Sequence, residues 1–209
     1  SGQHSKEFFK ELWETILAGK EWHGEFLNKK KSGELNWQSA NIAPVINDNQ
    51  NITHFVSIQE DITDKKKNAE DLHKLSRAIE QTPTTVVITD KDGTIEYVNP
   101  HFAEVTGYSF NEAIGQNPRI LKSGSIPDNF YKKLWTTITA GNIWQGEFEN
   151  KKKSGEIYWE MASISPIKND KGEITHFVAV KEDITDRIKI QKELEARAGR
   201  LAHQNKTLQ

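Results

Sequence analysis

The sequence contains no cysteine among its 209 residues. This absence excludes disulfide bonds, cysteine-ligated zinc, covalent c-type haem attachment and a thiol nucleophile. It is typical of a reducing compartment, so we expect a cytoplasmic location. No apolar run approaches the ~20 residues of a membrane-spanning helix, and the N-terminal SGQHSKEFF lacks the pattern of a secretory signal peptide. We therefore expect a soluble chain without direct membrane insertion.

The chain also lacks an excess of charge of either sign. Its 28 basic and 30 acidic side chains give a formal net charge of −2, whereas a nucleic-acid binder normally concentrates positive charge on one face. The triple lysine of NKKKSGE occurs twice, at residues 28–34 and 150–156. Its Ser-Gly pair predicts a hairpin turn with Gly33 or Gly155 at positive φ, which directs the lysines into solvent. We expect no nucleic-acid partner.

The chain contains an internal duplication. Residues 1–64 align without a gap with residues 123–186, and 37 of the 64 positions are identical. The offset of 122 residues exceeds the period of solenoid repeats, so the repeated unit is a whole domain. The pattern predicts four segments: the C-terminal part of a first domain (1–64), a helical linker (65–75), a complete second domain (76–186) and a C-terminal signalling helix (187–209).

The complete copy begins and ends with strand patterns. Residues 85–90, TVVITD, are followed by Lys-Asp-Gly and TIEYVN, which predicts a hairpin of two strands. Three further strands are predicted at residues 144–152, 156–168 and 174–183, separated by Lys-Ser-Gly and Asn-Asp-Lys-Gly turns.

Helical patterns fill the middle of this copy. Short helices broken by glycine are predicted within residues 99–115. A longer helix, with Ser125 as its expected N-cap, carries Phe130, Leu134 and Ile138 at helical spacing. Strands segregated from helices predict an α+β domain whose antiparallel sheet is covered on one face.

Charged helical sequence follows each copy. Ile190, Leu194, Leu201 and Leu208 form a short, imperfect heptad pattern. We expect a homodimer through these flanking helices. Because the copies are so alike, the front half at residues 76–122 could close on either back half, including one from another chain.

Two segments carry a family resemblance. NITHFVSIQEDITDKKK and EITHFVAVKEDITDRIK resemble the end of PAS domains, in which a last strand ends in Asp-Ile-Thr before a charged helix. VVITDKDGTIEYVNPHFAEVTGYSFNEAIGQNPRILKSG resembles the first half of the same family. The resemblance covers essentially the full chain. It implies a five-stranded antiparallel sheet, short helices and one longer helix on one face, and a small-molecule cavity between sheet and helices.

The resemblance also implies a function. PAS domains are non-enzymatic sensory modules that lie upstream of effectors such as histidine kinases, so we expect an effector elsewhere in the same polypeptide. Asp183, Ile184 and Thr185 are the expected signal junction, where Asp183 and Thr185 help to cap the output helix. The sequence has no nucleophile motif, metal-ligand spacing or phosphate loop, so we predict no catalytic residues and no metal site.

The family uses haem, flavin, metabolites or no cofactor at all. Haem is disfavoured because the long helix, residues 129–140, contains no histidine. The light-sensing flavin branch has a reactive cysteine in Asn-Cys-Arg, whereas this chain has Asn117, Pro118 and Arg119. Thiol photochemistry is therefore impossible here.

Non-covalent FAD or FMN stays an alternative. The family positions that present amides to a flavin correspond to Asn150, Glu160 and Lys181, and in the first copy to Asn28, Gln38 and Gln59. Trp144 and Gly146 resemble Trp-x-Gly sequences around the flavin pocket of nitrogen-fixation regulators. The predicted pocket residues are Trp144, Asn150, Trp159 and Asn117. A small metabolite or no cofactor is favoured over flavin. The alternative function is a ligand-free module for dimerisation and protein interaction.

Overall fold

The structure is a computed structural model that describes residue 2 and residues 4–207, with side chains described as far as residue 200. It divides into two compact units between Leu75 and Ser76. The first unit contains α1 (Lys6–Leu17), β1 (Trp22–Lys29), β2 (Leu35–Ile46), β3 (Ile52–Asp61) and most of α2 (Thr63–Glu80). The second contains the end of α2, then β4 (Thr85–Asp90), β5 (Ile95–Val98), α3 (Pro100–Thr106), α4 (Phe110–Ala113), a 3₁₀ turn (Pro118–Leu121), α5 (Asp128–Thr139), β6 (Trp144–Lys151), β7 (Ile157–Lys168), β8 (Ile174–Asp183) and α6 (Thr185–Thr207).

The second unit is built on one five-stranded sheet. Its strand order is β5-β4-β8-β7-β6, and every neighbouring pair is antiparallel. The expected α+β fold with a five-stranded antiparallel sheet is therefore confirmed. The observed β4 and β8 begin and end at the residues that the turn patterns predict.

The start of α5 differs from the sequence prediction. Pro127 occupies the N-cap position, and no side chain caps the helix there. Ser125, the expected cap, instead donates its hydroxyl to the carboxylate of Glu149 on β6. Ser125 therefore ties the loop before α5 to the sheet, and the fixed φ of Pro127 helps to set the entry into the helix.

Strand alternation creates the core of the second unit. Because side chains of a strand alternate between faces, every second residue points towards the helices. On β8 this places Phe177, Ala179 and Lys181 among the buried residues. Leu134 and Ile138 of α5 cover this face. One charged residue thus lies in a row of otherwise apolar positions.

The first unit has a smaller sheet of order β1-β2-β3. Its β3 shares the sequence ITHFV with β8, but β8 lies between β4 and β7, whereas within the described residues β3 pairs with β2 alone. Phe55 of β3 is 40% exposed, and the equivalent Phe177 is 4% exposed. Identical sequences therefore have different burial because their neighbours differ.

The two NKKKSGE segments form hairpin turns. Gly33 and Gly155 both have φ of 92°, as predicted from their place in the turn. In the second unit Lys152 lies 3.1 Å from Glu156. Lys153 pairs with Glu112 of α4, and its backbone N–H donates to Thr106 O at 2.9 Å. This hairpin therefore contacts the short helices as well as solvent.

The output helix carries part of the predicted heptad pattern on its exposed surface. Ile190 and Leu194 are 59% and 61% exposed. Leu201 and Leu208, which complete the pattern, lie outside the residues whose side chains are described. Dimerisation through this helix remains a prediction.

We predict that Glu112 titrates far below an ordinary glutamate. The Lys153 ammonium and the backbone and hydroxyl of Ser109 lower its pKa from 4.5 to about 2. A carboxylate whose pKa is lower in the folded state stabilises the fold above its unfolded pKa, and this contribution is lost as pH falls through the folded value. The contact between α4 and the hairpin should therefore weaken between pH 4.5 and about 2. A carboxyl NMR titration of Glu112 with a midpoint near 4.5 would contradict this assignment.

Candidate functional site

A cavity of about 290 Å³ lies between the sheet of the second unit and α5. The strands contribute one wall, since their inward-facing residues alternate along β4, β6, β7 and β8. The segment after α4 and the helix α5 contribute the other wall. The lining residues are Val87, Thr89, Gly93, Asn117, Pro118, Arg119, Lys122, Tyr131, Leu134, Trp135, Ile138, Phe148, Asn150, Ile164, Phe177, Ala179 and Lys181.

A buried polar group lies at one end of the cavity. Lys181 Nζ donates to Glu160 Oε1 at 2.5 Å, and Asn150 Nδ2 donates to the same oxygen at 2.7 Å. The Lys181 and Glu160 side chains are only 7% and 2% exposed. A buried charge needs a partner, because an isolated ion in a protein interior loses its hydration. The lysine and the glutamate therefore stabilise each other.

Tyr158 completes this polar group behind the cavity. Its hydroxyl donates to Glu160 Oε2 at 3.3 Å, and its side chain is fully buried. Burial raises the pKa of the Tyr158 phenol, and the negative charge of Glu160 raises it further. The phenol therefore stays protonated and keeps its hydrogen for Glu160. Both carboxylate oxygens of Glu160 thus have donors.

The structure places two of the predicted pocket residues, Asn117 and Asn150, in the cavity lining. Asn150 joins the polar group described above. The amide of Asn117 has backbone partners at both ends: Nδ2 donates to Gly93 O at 2.9 Å, and Oδ1 accepts from Arg119 N at 3.1 Å. Asn117 therefore orders the loop that forms the cavity wall. Contact of either asparagine with a ligand remains a prediction.

Trp144 lies in the aromatic cluster beside the cavity. Its ring centre is 5.2 Å from that of Phe130 and 5.1 Å from that of Phe148. A Cβ at position 146 would come within 2.6 Å of the Trp144 ring, so only glycine leaves room for the indole. The Trp-x-Gly sequence thus has a packing reason that does not involve a flavin. The same arrangement occurs at Trp22 and Gly24.

Trp159 lies at the junction between the sheet and the output helix. Its backbone N–H donates to Thr185 Oγ1 at 2.9 Å, and its carbonyl accepts from Ile184 N at 2.9 Å. Thr185 N in turn donates to Asp183 Oδ1 at 2.8 Å. Ile184 is 3% exposed. The residues of Asp-Ile-Thr thus fix the start of α6 against β7.

The first unit repeats this junction. Trp37 N donates to Thr63 Oγ1 at 2.9 Å, and Ile62 N donates to Trp37 O at 2.9 Å. Thr63 N donates to Asp61 Oδ1 at 3.0 Å. The Thr63 hydroxyl and N–H lower the pKa of Asp61. The same sequence therefore builds the same connection twice, although the burial of the two last strands differs.

The polar group and the junction share a strand. Glu160 follows Trp159 on β7, and it is the register partner of Asp183 on β8. Glu160 contacts Lys181 of the cavity lining, while Trp159 contacts Thr185 of α6. Glu160, which bonds a residue of the cavity lining, and Trp159, which bonds the start of α6, are therefore adjacent on one strand.

Sequence reasoning aligned Glu160 and Lys181 with family positions but did not predict that they form an ion pair. It also missed Lys122, whose ammonium lies 3.6 Å from the ring centre of Tyr131 in the cavity wall. The signal available for the pair was two charged residues of opposite sign at inward positions of neighbouring strands. In the first unit the equivalents are neutral: Asn28 Nδ2 donates to Gln38 at 2.7 Å, and Gln59 bonds Ser57.

These features define a class of protein. The family model of the PAS domain matches residues 2–64 and 83–186, and the chain belongs to this family of sensory modules. Its five-stranded sheet, cavity and helical exit are those that the resemblance implies. Among the described residues, no group of three or more potential metal ligands is present, and no helix is long and apolar enough to cross a membrane.

Relatives of the chain are regulators and sensors. The nitrogen fixation regulatory protein of Klebsiella oxytoca is 35% identical over 107 residues, which are 51% of this chain and 22% of that protein. The blue-light-activated histidine kinase of Brucella anthropi is 32% identical over 120 residues, 56% of this chain and 24% of that protein. The chain therefore spans less than a quarter of the length of these two relatives.

Solved structures show the same fold. The crystal structure of the PAS domain of a protein from Colwellia psychrerythraea has a TM-score of 0.52 with this chain at 24% sequence identity. The match covers 56% of this chain and 98% of that chain. This similarity supports the fold.

We predict that Lys181→Met destabilises the second unit by about 3 kcal/mol, because it leaves the Glu160 charge buried without its cation. The double variant Lys181→Met/Glu160→Gln should recover most of this loss, because it removes both charges and keeps an acceptor for Asn150. Urea-dependent hydrogen exchange in β7 and β8 measures the difference.

The matched control is Gln59→Met, which changes the equivalent residue in the first unit, where the side chain is exposed. It should alter the free energy of unfolding by no more than about 0.5 kcal/mol. A Lys181→Met variant as stable as the parent chain would show that the ion pair does not hold this end of the cavity.

Proposed function

We propose that the second unit is a sensory relay: a small molecule or a redox change in the cavity alters the Lys181–Glu160–Asn150 group, and β7 transmits the change to α6. The observation that carries this proposal is the adjacency of Glu160 and Trp159, one bonded to the cavity lining and the other to Thr185. The downstream effector, which we place in the same polypeptide, would read the altered output helix.

The chemistry of transmission follows from the buried charges. Ionic interactions are strong where water is excluded, so a ligand that competes for Lys181 changes the balance of forces on Glu160. Glu160 lies on β7, which pairs with β6 on one side and β8 on the other. The backbone hydrogen bonds of these pairs resist a large movement of the strand. The hydrogen bonds of the Asp183–Thr185 connection hold the start of α6, so a change in these bonds reorients the first turn of the helix.

The exposed Ile190 and Leu194 support a role for α6 in pairing with a second copy. Homodimerisation through the flanking helices would allow a small rotation of α6 to be read between two effectors. The ligand-free alternative, in which the unit only dimerises and relays, uses the same helix. Occupancy of the cavity separates the two functions.

The flavin alternative is supported by Asn150 in the cavity lining. An isoalloxazine edge presents both donors and acceptors, which amides match on both sides. Here the other two positions hold a lysine and a glutamate that already bond each other. The visible absorption spectrum of the purified protein separates this alternative from a colourless ligand.

We predict that Asp183→Ala loosens the start of α6 and leaves the sheet intact. The variant removes the carboxylate that accepts the N–H of Thr185, an interaction of the helix-capping type worth about 1 kcal/mol. Amide hydrogen exchange at residues 184–190 should accelerate about fivefold, while β6 and β7 amides keep their protection. In the parent signalling protein, the response to stimulus should weaken.

Asp61→Ala is the matched control, because it removes the same bond from the first unit. It should accelerate exchange at the start of α2 and leave α6 unchanged. A parent protein that signals normally with Asp183→Ala would contradict the relay.

A further inference from the structure

The charges that line the cavity are all positive. Arg119, Lys122 and Lys181 belong to the lining, and no aspartate or glutamate of the described chain does. Arg119 lies in the 3₁₀ turn and Lys122 directly follows that turn, whereas Lys181 lies on β8. An enclosed surface of one sign raises the local concentration of ions of the opposite sign.

The inner cation retains donors for a ligand. An ammonium group has three N–H bonds, and within the described residues the one protein acceptor of Lys181 is Glu160 Oε1. That oxygen also accepts from Asn150, and the second oxygen of Glu160 accepts from Tyr158, so the carboxylate is shared among three donors. Lys181 also lies 5.5 Å from the ring centre of Phe148. Its other two N–H bonds therefore have no protein acceptor among the described residues.

The outer cations lie at the cavity mouth, since both Arg119 and Lys122 are exposed. Neither has a carboxylate within 4.0 Å among the described residues, whereas Lys152 and Lys153 of the nearby hairpin each pair with a glutamate. The backbone of Lys122 pairs with that of Asn150. The Lys122 ammonium lies 3.6 Å from the ring centre of Tyr131 in the same lining. Lys181 and Asn150 share Glu160 Oε1, so both lysines belong to segments that contact Asn150 or its partner.

The rest of the lining is mostly apolar, and its polar members are Thr89, Asn117, Tyr131 and Asn150. It includes Leu134, Ile138, Ile164 and Phe177, which come from α5, β7 and β8. Apolar side chains in the cavity wall favour a ligand that has an apolar part, because contact between them removes apolar surface from water. The volume of about 290 Å³ is near the lower end of the range of about 300–1,000 Å³ for small-molecule sites. The lining thus combines a cationic end with a small apolar compartment.

We propose that the cavity binds a small organic carboxylate. Its carboxylate lies between Lys122 and Lys181 beside Asn150, and its apolar body lies against α5 and Phe177. This inference rests on the proposed function, because it names the class of molecule whose binding the relay reports. The ligand competes with Glu160 for Lys181, and so reaches the strand that holds α6.

The test compares organic acids with their neutral amides on the full chain. Benzoate, phenylacetate and hexanoate are titrated by calorimetry at millimolar concentration, beside benzamide, phenylacetamide and hexanamide. At least one acid should bind about tenfold more tightly than its amide, which is 1.4 kcal/mol. Inorganic phosphate, an anion without an apolar body, should bind more weakly than that acid.

Two variants and one control locate the charge recognition. Lys122→Met removes an exposed cation from the cavity mouth and should weaken acid binding several-fold. Lys133→Met removes the same charge from the exposed surface of α5, outside the lining, and should leave binding unchanged. Lys181→Met/Glu160→Gln, which leaves no unpaired buried charge, should abolish the preference for acid over amide.

The outcomes separate this inference from the proposed function. Amides that bind as tightly as acids, phosphate that binds as tightly as the best acid, or a Lys122→Met variant with parental affinity would overturn the carboxylate class. The relay would stand in each case, because the cavity is still occupied. Failure of all six organic probes would overturn the inference, while the Asp183→Ala experiment tests the relay without any ligand.

Discussion

The buried ion pair of Lys181 and Glu160 is the interaction on which the second unit depends. Neither charge could be placed in this interior without the other, because burial removes the hydration of each. The pair is satisfied by Asn150 and Tyr158, so the polar end of the cavity has a defined geometry. The same pair joins β7 to β8 beside the start of α6. The Glu160 side chain, which bonds the cavity lining, and the Trp159 backbone, which bonds Thr185 of α6, are therefore one residue apart.

The duplication provides a comparison within one chain. Both units form the Trp-to-Thr junction with the same distance of 2.9 Å from the tryptophan backbone nitrogen to the threonine Oγ1. The exit geometry therefore follows from the Asp-Ile-Thr segment and the tryptophan on the neighbouring strand. The polar groups differ, because the first unit has Gln38 and Gln59 where the second has Glu160 and Lys181. The connection to a helix is thus common to both copies, while the buried ion pair belongs to the second.

Local sequence predicted the elements well and the contacts less well. Turn residues mark strand ends, such as Lys-Asp-Gly after β4 and Asn-Asp-Lys-Gly before β8, and both strands agree with the prediction to the residue. Ser125 was a reasonable helix cap by composition, but its hydroxyl bonds Glu149 across the fold. The ion pair joins residues 21 positions apart, and only the register of β7 and β8 brings them together. The exposure of Phe55 depends on which strands lie beside β3, which its own sequence does not encode.

We propose above all that a change in the buried Lys181–Glu160 pair alters the structure at the start of α6. Amide NMR spectra of the parent chain and the Lys181→Met/Glu160→Gln variant test it most directly, because both charges are removed without unpairing either. The account predicts shifts of the Trp159, Ile184 and Thr185 amides in addition to those around the substitutions. Shifts confined to the neighbours of residues 160 and 181, with the amides of residues 184–190 unchanged, would contradict it.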